Sequence, residues 1–253
     1  SGGALIDIEG RLIGINTSIL TRSGGSNGIG FAIPAALVAQ FVAQAKQGKT
    51  RFERPWAGIS GQEVDAAMAE TLGLDVPGGV IVAHLHPQSP FAKGGIEIGD
   101  VIREVGGQTV NTPAEMVFRM SVAGLGAKAR IGYFREGKLR EVTVALVGAP
   151  EDPPRDPRRL GRDSLFADMQ IETANPAVAA ERGLPTDITG VLVSDPGPVG
   201  LRAGLLAGDV IQSVNGTAVD RSGTLEEVLS SVSRRLDLGL FRQWRQMVLR
   251  LRL

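Results

Sequence analysis

Short apolar runs bounded by glycine and turn residues dominate this chain, and they have the length and period of β-strands. The first residues read SGGALIDIEGRLIGINTSI, which places two short apolar strands directly behind a Ser-Gly-Gly. VIVAHL (80–85) and VLVSDP (191–196) run apolar or alternate, and each precedes a Gly-Asp turn and a V-I-x-x-V strand. ARIGYF and REVTVAL read as a strand pair, and the tail FRQWRQMVLRLRL (241–253) alternates arginine with apolar residues, as a last hairpin strand with one wet face does. Helical period is rarer. PAALVAQFVAQAKQ carries Pro34 at its start. NTPAEMVF sets Thr112 as cap and Pro113 at the first helical position, with Glu115 making nearly a capping box. TLEE (224–227) predicts a full capping box, Thr224 with Glu227.

The pattern repeats. GIEIGDVIREVGGQTV (95–110) aligns without a gap on GLLAGDVIQSVNGTAV (204–219), with Gly95/Gly204, Gly99/Gly208, Asp100/Asp209, Val101/Val210, Ile102/Ile211, Val105/Val214, Gly107/Gly216 and Val110/Val219 identical. Gly106-Gly107 and Asn215-Gly216 are hairpin-turn signals inside the copies. A period of about 100 residues fits duplicated domains, since a solenoid repeats every 20–50. Between the copies, APEDPPRDPRRLGR (149–162) alternates proline with charge and holds almost nothing apolar, which predicts an extended, solvated linker. A softer boundary lies at KQGKTRFERP (46–55). The expected division is 1–48, a first repeat over 52–148, the linker 149–162, and a second repeat over 163–253.

Composition narrows the chemistry. The 27 Lys+Arg balance the 27 Asp+Glu, so no net field steers the 253-residue chain to nucleic acid. With no cysteine there is no disulfide, thiolate metal site or thiol nucleophile. No apolar run approaches the ~18–20 residues that span a bilayer. The 34 glycines suit a turn-rich β protein. His84 and His86 sit in VAHLHPQSP and read as exposed loop histidines; no metal or other cofactor is called for.

Each repeat, with its G-(I/L)-x-x-GD-V-I-x-x-V-(N/G)-G signature, resembles a PDZ domain of the circularly permuted bacterial type. The resemblance implies a small, partly open β-barrel with one groove helix, in which a peptide's carboxyl end adds as an extra strand and its carboxylate meets backbone N–H groups of a glycine loop. In the first copy it assigns that loop to Trp56, Ala57, Gly58 and Ile59, and the helix side of the groove to Pro113, Val117 and Met120; these also fit an ordinary core stripe. Pro113 cannot bond a ligand hydroxyl, so hydrophobic C-terminal residues are the expected ligands. In the second copy, SLFADM sets Leu165, Phe166 and Ala167 in the loop with Phe166 in the glycine's place, and the helix offers Leu225, Leu229 and Val232. That copy is left open between peptide binding and an interdomain or assembly contact.

With two such copies behind it, the first segment resembles the end of the protease domain of an HtrA/Deg-type serine protease of chymotrypsin-like β-barrel fold. Ser1-Gly2-Gly3 matches the nucleophile motif, Gly14-Ile15-Asn16-Thr17 a substrate-pairing strand, and Gly28 to Ile33 the wall of the specificity pocket. The resemblance implies Ser1 as nucleophile and Thr17, Ile29, Gly30, Phe31 and Ile33 as the substrate pocket. A triad also needs a histidine and a carboxylate, which this family places before the serine, so the 253 residues alone are expected to be inactive and 1–48 poorly stable. The resulting reading is a fold that is mainly β with short helices, from the C-terminal part of an envelope serine endopeptidase of protein quality control. Its partners would be unfolded or damaged proteins and C-terminal peptides, in a homo-oligomer (a trimer or multiples), with periplasmic location implied by the family. The alternatives are a stand-alone tandem-PDZ peptide-binding fragment and a scaffold without catalysis.

Overall fold

The computed structural model describes residues 1–22, 25–232 and 235–252, with the side chains of 19–22 and 25–28 left aside. It is mainly β, with short helices and three antiparallel sheets. By contact the chain divides into two compact units, Ser1–Gly148 and Ala149–Leu253.

The first unit holds two sheets. β1 (Ala4–Ile6), β2 (Leu12–Arg22) and β3 (Gly25–Pro34) make a three-stranded meander, and α1 (Ala35–Lys46) follows at once. The β1–β2 connection is tied by Asp7, whose Oδ1 accepts from the amides of Glu9 and Arg11 at 2.9 Å each. The second sheet runs β4 (Ile59–Glu63), β5 (Val80–Leu85), β6 (Val101–Val105), β8 (Lys128–Arg135), β9 (Lys138–Ala145), with β7 (Gln108–Thr109) hairpinned on β6. Helices α2 (Ala66–Thr71), α3 (Pro90–Lys93) and α4 (Pro113–Ala123) lie between these strands in the chain. α4 starts as its sequence predicts: Thr112 accepts the Glu115 amide at 3.1 Å, and Pro113 takes the first position. One core, with Val82, Phe91, Ile102, Met120 and Ile131 fully buried, lies between sheet and helix. The 46–55 stretch folds back on α1: the Gln44 side chain bonds both the amide and the carbonyl of Glu53, and Phe41 stacks on Phe52 at 3.7 Å.

The second unit repeats the second sheet strand for strand and adds one. Its order is β10 (Arg158–Arg159), β11 (Gln170–Thr173), β12 (Val191–Asp195), β13 (Val210–Val214), β15 (Arg235–Arg242), β16 (Arg245–Arg252), with β14 (Thr217–Ala218) on β13. Its helices are α5 (Pro176–Arg182), α6 (Gly197–Arg202) and α7 (Ser222–Ser230). Gly106-Gly107 and Asn215-Gly216 all have positive φ, the backbone of a type I′ hairpin turn.

The Asp of each Gly-Asp pair is a buried anchor. Asp100 accepts the Glu97 amide and a bidentate bond from Arg135 on β8, both oxygens at 2.7 Å, while Arg135 also donates to the Gly95 carbonyl. Asp209, Leu206, Arg242 on β15 and Gly204 repeat the arrangement at 2.6–2.8 Å.

Three expectations are corrected. The stretch 149–162 is not a solvated tether: Arg158 and Arg159 form β10 on β11, Leu160 is 2% exposed, and Arg155 is held by Glu151, Glu172 and Glu181. Proline and charge resist burial only where partners are absent, and here Arg155, Arg158 and Arg159 each have a carboxylate. Thr224 does not cap its helix, because α7 begins two residues earlier, where the Thr173 hydroxyl accepts the buried Ser222 amide at 3.1 Å. Phe166 does not stand in the glycine's place. Pairing of β11 with β12, Thr173 opposite Val191, matches that of β4 with β5, Glu63 opposite Val80. This equates Asp168 with Gly58, and the two share φ of 68° and 65°; Phe166 corresponds to Trp56.

Candidate functional site

Two sites follow from the sheets of the first unit. On the three-stranded sheet, Gly2 donates to the Asn16 carbonyl and Asn16 to the Gly3 carbonyl, at 2.6 and 2.9 Å, which lays the Ser1–Gly3 segment beside β2. Asn16 pairs with Ala32 of β3 in turn, and Thr17 Oγ1 donates to the Phe31 carbonyl at 3.1 Å. Thus the segment Ser1–Gly3 runs beside the part of β2 that carries Thr17, and Thr17 is bonded to Phe31 of β3. Ile33 is half-buried opposite Ile15; Ile29 and Phe31 are 50% and 53% exposed, and Gly30 is exposed beside them. Leu5, Ile6, Leu12 and Ile13 are exposed on the same sheet.

Neither histidine belongs to that sheet. His84, on β5, pairs with Ser60 on β4, and His86 packs edge-on against Trp56, ring centroids 5.3 Å apart. The His86 amide donates to the Gly58 carbonyl at 2.8 Å, and its Nδ1 accepts from Gln88. Burial, then the charge of His84, holds the His86 imidazole below its usual range. Part-burial and the Trp56 contact therefore replace the exposed loop setting expected for it. No cluster of three or more His, Asp or Glu fit to hold a metal exists among the described residues.

The second site is the loop before β4. Trp56 and Ala57 are each 8% exposed, and Gly58 turns left-handed between them and Ile59. The Trp56 amide is taken by the Val147 carbonyl, and the buried Ser89 hydroxyl bonds the Ala57 carbonyl, so the loop is fixed from both sides. β4 is the end strand of its sheet, with no strand on its outer edge among the described residues, and it stays exposed or half-buried along its length. α4 lies against β4. Pro113 and Val117 are half-buried on it, whereas Met120 is wholly buried in the core with Ala57 and Val82. The elements of a strand-accepting groove stand together: a fixed turn, an open edge and a helix.

In the second unit Phe166 is buried in the core, Leu165 and Ala167 are half-buried, Leu225 and Leu229 are buried, and Val232 is half-buried beyond the end of α7. The outer edge of β11 is covered by β10.

Residues 46–146 match the PDZ domain family. A DegP-like periplasmic serine endoprotease of Pseudomonas savastanoi pv. phaseolicola is 34% identical over 97% of this chain and 52% of its own length. One of Brucella suis is 34% identical over 92% and 45%, and one of Halomonas elongata 32% over 100% and 53%. The chain thus spans about half the length of the curated relatives it matches. A solved HtrA-type protease, AlgW with decapeptide, is 37% identical over 59% of this chain and 46% of its own, with a TM-score of 0.41. No helix among the described residues is long and apolar enough to cross a membrane. Residues 46–146 are a PDZ domain, and the chain is homologous to the DegP-like serine endoproteases.

Proposed function

We propose that this chain is the substrate-engaging part of a periplasmic serine endopeptidase of protein quality control, and that its first groove receives the carboxyl ends of unfolded or damaged proteins. The observation that carries this is the open outer edge of β4 beside α4, headed by the left-handed Gly58 loop. An incoming strand bonds the free edge of β4, and its terminal carboxylate meets the amides around Gly58, where charge-assisted bonds are the strong ones. Trp56, Ala57, Gly58 and Ile59 supply the turn, and Val117 supplies the accessible apolar wall. Met120, being fully buried, shapes that wall from behind. The aliphatic setting and Pro113, which carries no hydroxyl-binding group, favour a hydrophobic last residue.

Ser1 is the proposed nucleophile of the whole protease. A histidine and a carboxylate activate such a serine, and glycines beside it let the acyl group approach the backbone. His84 and His86 are not that base, since both are engaged on the PDZ sheet. Thr17, Ile29, Gly30, Phe31 and Ile33, beside Ser1 on one sheet, form the proposed pocket for a small aliphatic side chain. A homo-oligomer, a trimer or multiples, is the proposed assembly.

The test is a titration of the full chain with a peptide ending in leucine, once with a free carboxylate and once amidated, followed by amide chemical shifts. The expected result is perturbation at Gly58–Gly61 with the free acid and at least tenfold weaker binding of the amide. Equal binding of both forms would overturn the groove assignment.

A further inference from the structure

The second unit carries the same kind of groove, but its own chain lies in it. The outer edge of β11, which corresponds to the open edge of β4, is paired antiparallel with β10, Arg158 opposite Ile171 and Arg159 opposite Gln170. The bonds extend beyond the two strand residues. Leu160 donates its amide to the Met169 carbonyl at 2.9 Å, its carbonyl accepts from the Asp168 amide at 3.1 Å, and the Arg155 carbonyl accepts from the Thr173 amide at 2.7 Å. Asp168 is the left-handed residue matching Gly58, so the Leu160 carbonyl takes the amide that a ligand carboxylate would take in the first groove. The Leu160 side chain is 2% exposed and shares a core with Phe166, Met169, Leu225 and Leu229. The segment also reaches the helix side. Arg158 Nη1 bonds Glu226 on α7 at 2.8 Å, and its guanidinium lies 3.3 Å from the place of a Cβ on Gly223. Arg159 pairs with Asp168 at 2.9 Å. Ile171, Glu172 and Thr173 are buried, whereas β4 is exposed or half-buried throughout.

We propose that residues 155–160 are an internal ligand of the second groove, with Leu160 in the place of a ligand's last residue, so that the second unit is closed to outside peptide until this segment is displaced. The inference rests on the strand-accepting reading of the first groove. A tethered occupant acts at an effective concentration on the order of millimolar, so a segment of roughly 10 μM intrinsic affinity holds an outside peptide off about a hundredfold. Unlike a true ligand, Leu160 has no terminal carboxylate, which leaves an acidic chain end as the group best able to compete.

The probe is the synthetic peptide Arg-Asp-Pro-Arg-Arg-Leu with a free carboxylate, added to the isotope-labelled full chain while amide shifts are followed. In the unmodified chain no shifts are expected at 168–173. Leu160→Ala removes the anchor, and Arg158→Glu replaces the attraction to Glu226 by repulsion at a half-exposed site that leaves the core intact. In both variants the peptide should shift Asp168, Met169 and Ile171, with at least tenfold tighter binding than in the unmodified chain. Binding at 168–173 that is equally tight in the unmodified chain and in Arg158→Glu would overturn the proposal, as would its absence from the folded Arg158→Glu variant. Shifts at Gly58–Gly61 in the same spectra report on the first groove separately, so failure of one reading is distinguishable from failure of the other.

Discussion

Substituting Gly58 by alanine tests the first groove at its turn. The residue has φ +65°, and a Cβ built there meets Ser89 Cβ and the Trp56 ring at 2.8 Å each. Neither neighbour can yield freely. Ser89 is fully buried, and its hydroxyl bonds the Ala57 carbonyl and caps α3 through the Phe91 and Ala92 amides. Trp56 is 8% exposed and packed against His86. The left-handed backbone costs alanine about 1–2 kcal/mol. Forcing the methyl into a filled space adds about 1–3 kcal/mol. Gly73 provides the control, with φ +66° and no atom within 4 Å of its built Cβ. Gly73→Ala therefore carries the backbone cost alone. Urea unfolding followed by the fluorescence of Trp56, which is buried while Trp244 is 70% exposed, should place Gly58→Ala about 2–5 kcal/mol below the unmodified chain and Gly73→Ala about 1–2 kcal/mol below it. Because the shift also displaces the Gly58 amide, peptide affinity should fall at least tenfold in the first variant and stay unchanged in the second. Equal destabilisation by the two alanines, or peptide binding that survives Gly58→Ala, would refute the packing argument.

Two other outcomes follow from buried or half-buried charge. Arg242→Met leaves the Asp209 carboxylate, 1% exposed, without its bidentate partner, and should cost the second unit about 3–5 kcal/mol in chemical denaturation. His86 is held below its usual range by burial and by His84. The unfolded chain, with an ordinary imidazole near 6.5, binds the proton more readily, so stability of the first unit should be full above about pH 6.5 and decline as pH falls through the window below it. His86→Gln should flatten that slope; an unchanged midpoint-versus-pH curve in this variant would assign the slope to other groups.

What could be read from the sequence was what short-range chemistry decides. The two-glycine and Asn-Gly turns, the cap at Thr112 and the pairing of ARIGYF with REVTVAL each depend on neighbours a few residues away, and all appear in the structure. The errors arose where a distant residue took over a local role. TLEE has the form of a capping box, but the helix starts at Ser222 because Thr173, on another strand, accepts its amide. Composition marked 149–162 as solvated because a count of prolines and charges does not show that Glu181 and Glu226 are waiting for Arg155 and Arg158. A signal for that segment existed: Leu160 is the one large apolar side chain among the charges, and such a residue needs somewhere to be buried. Likewise Gly132-Tyr133-Phe134-Arg135 and Gly239-Leu240-Phe241-Arg242 repeat the arginine that anchors each Gly-Asp turn, a signal outside the 95–110 and 204–219 alignment.

The contrast between the copies lies in one position and one strand edge. An exposed edge strand invites pairing with whatever chain meets it, so a fold must either use it or cover it. In the first copy glycine makes the left-handed turn and no strand among the described residues pairs with the edge of β4 beyond it. In the second, Asp168 makes the same turn, tolerable because aspartate enters that region at less cost than most side chains, and its carboxylate reaches Arg159 of the covering strand. The residue that replaces the glycine thus also holds the cover in place. On the proposed reading that coupling gives the duplication a physical purpose: one edge left for a strand from outside, and one covered by the segment that leads into it.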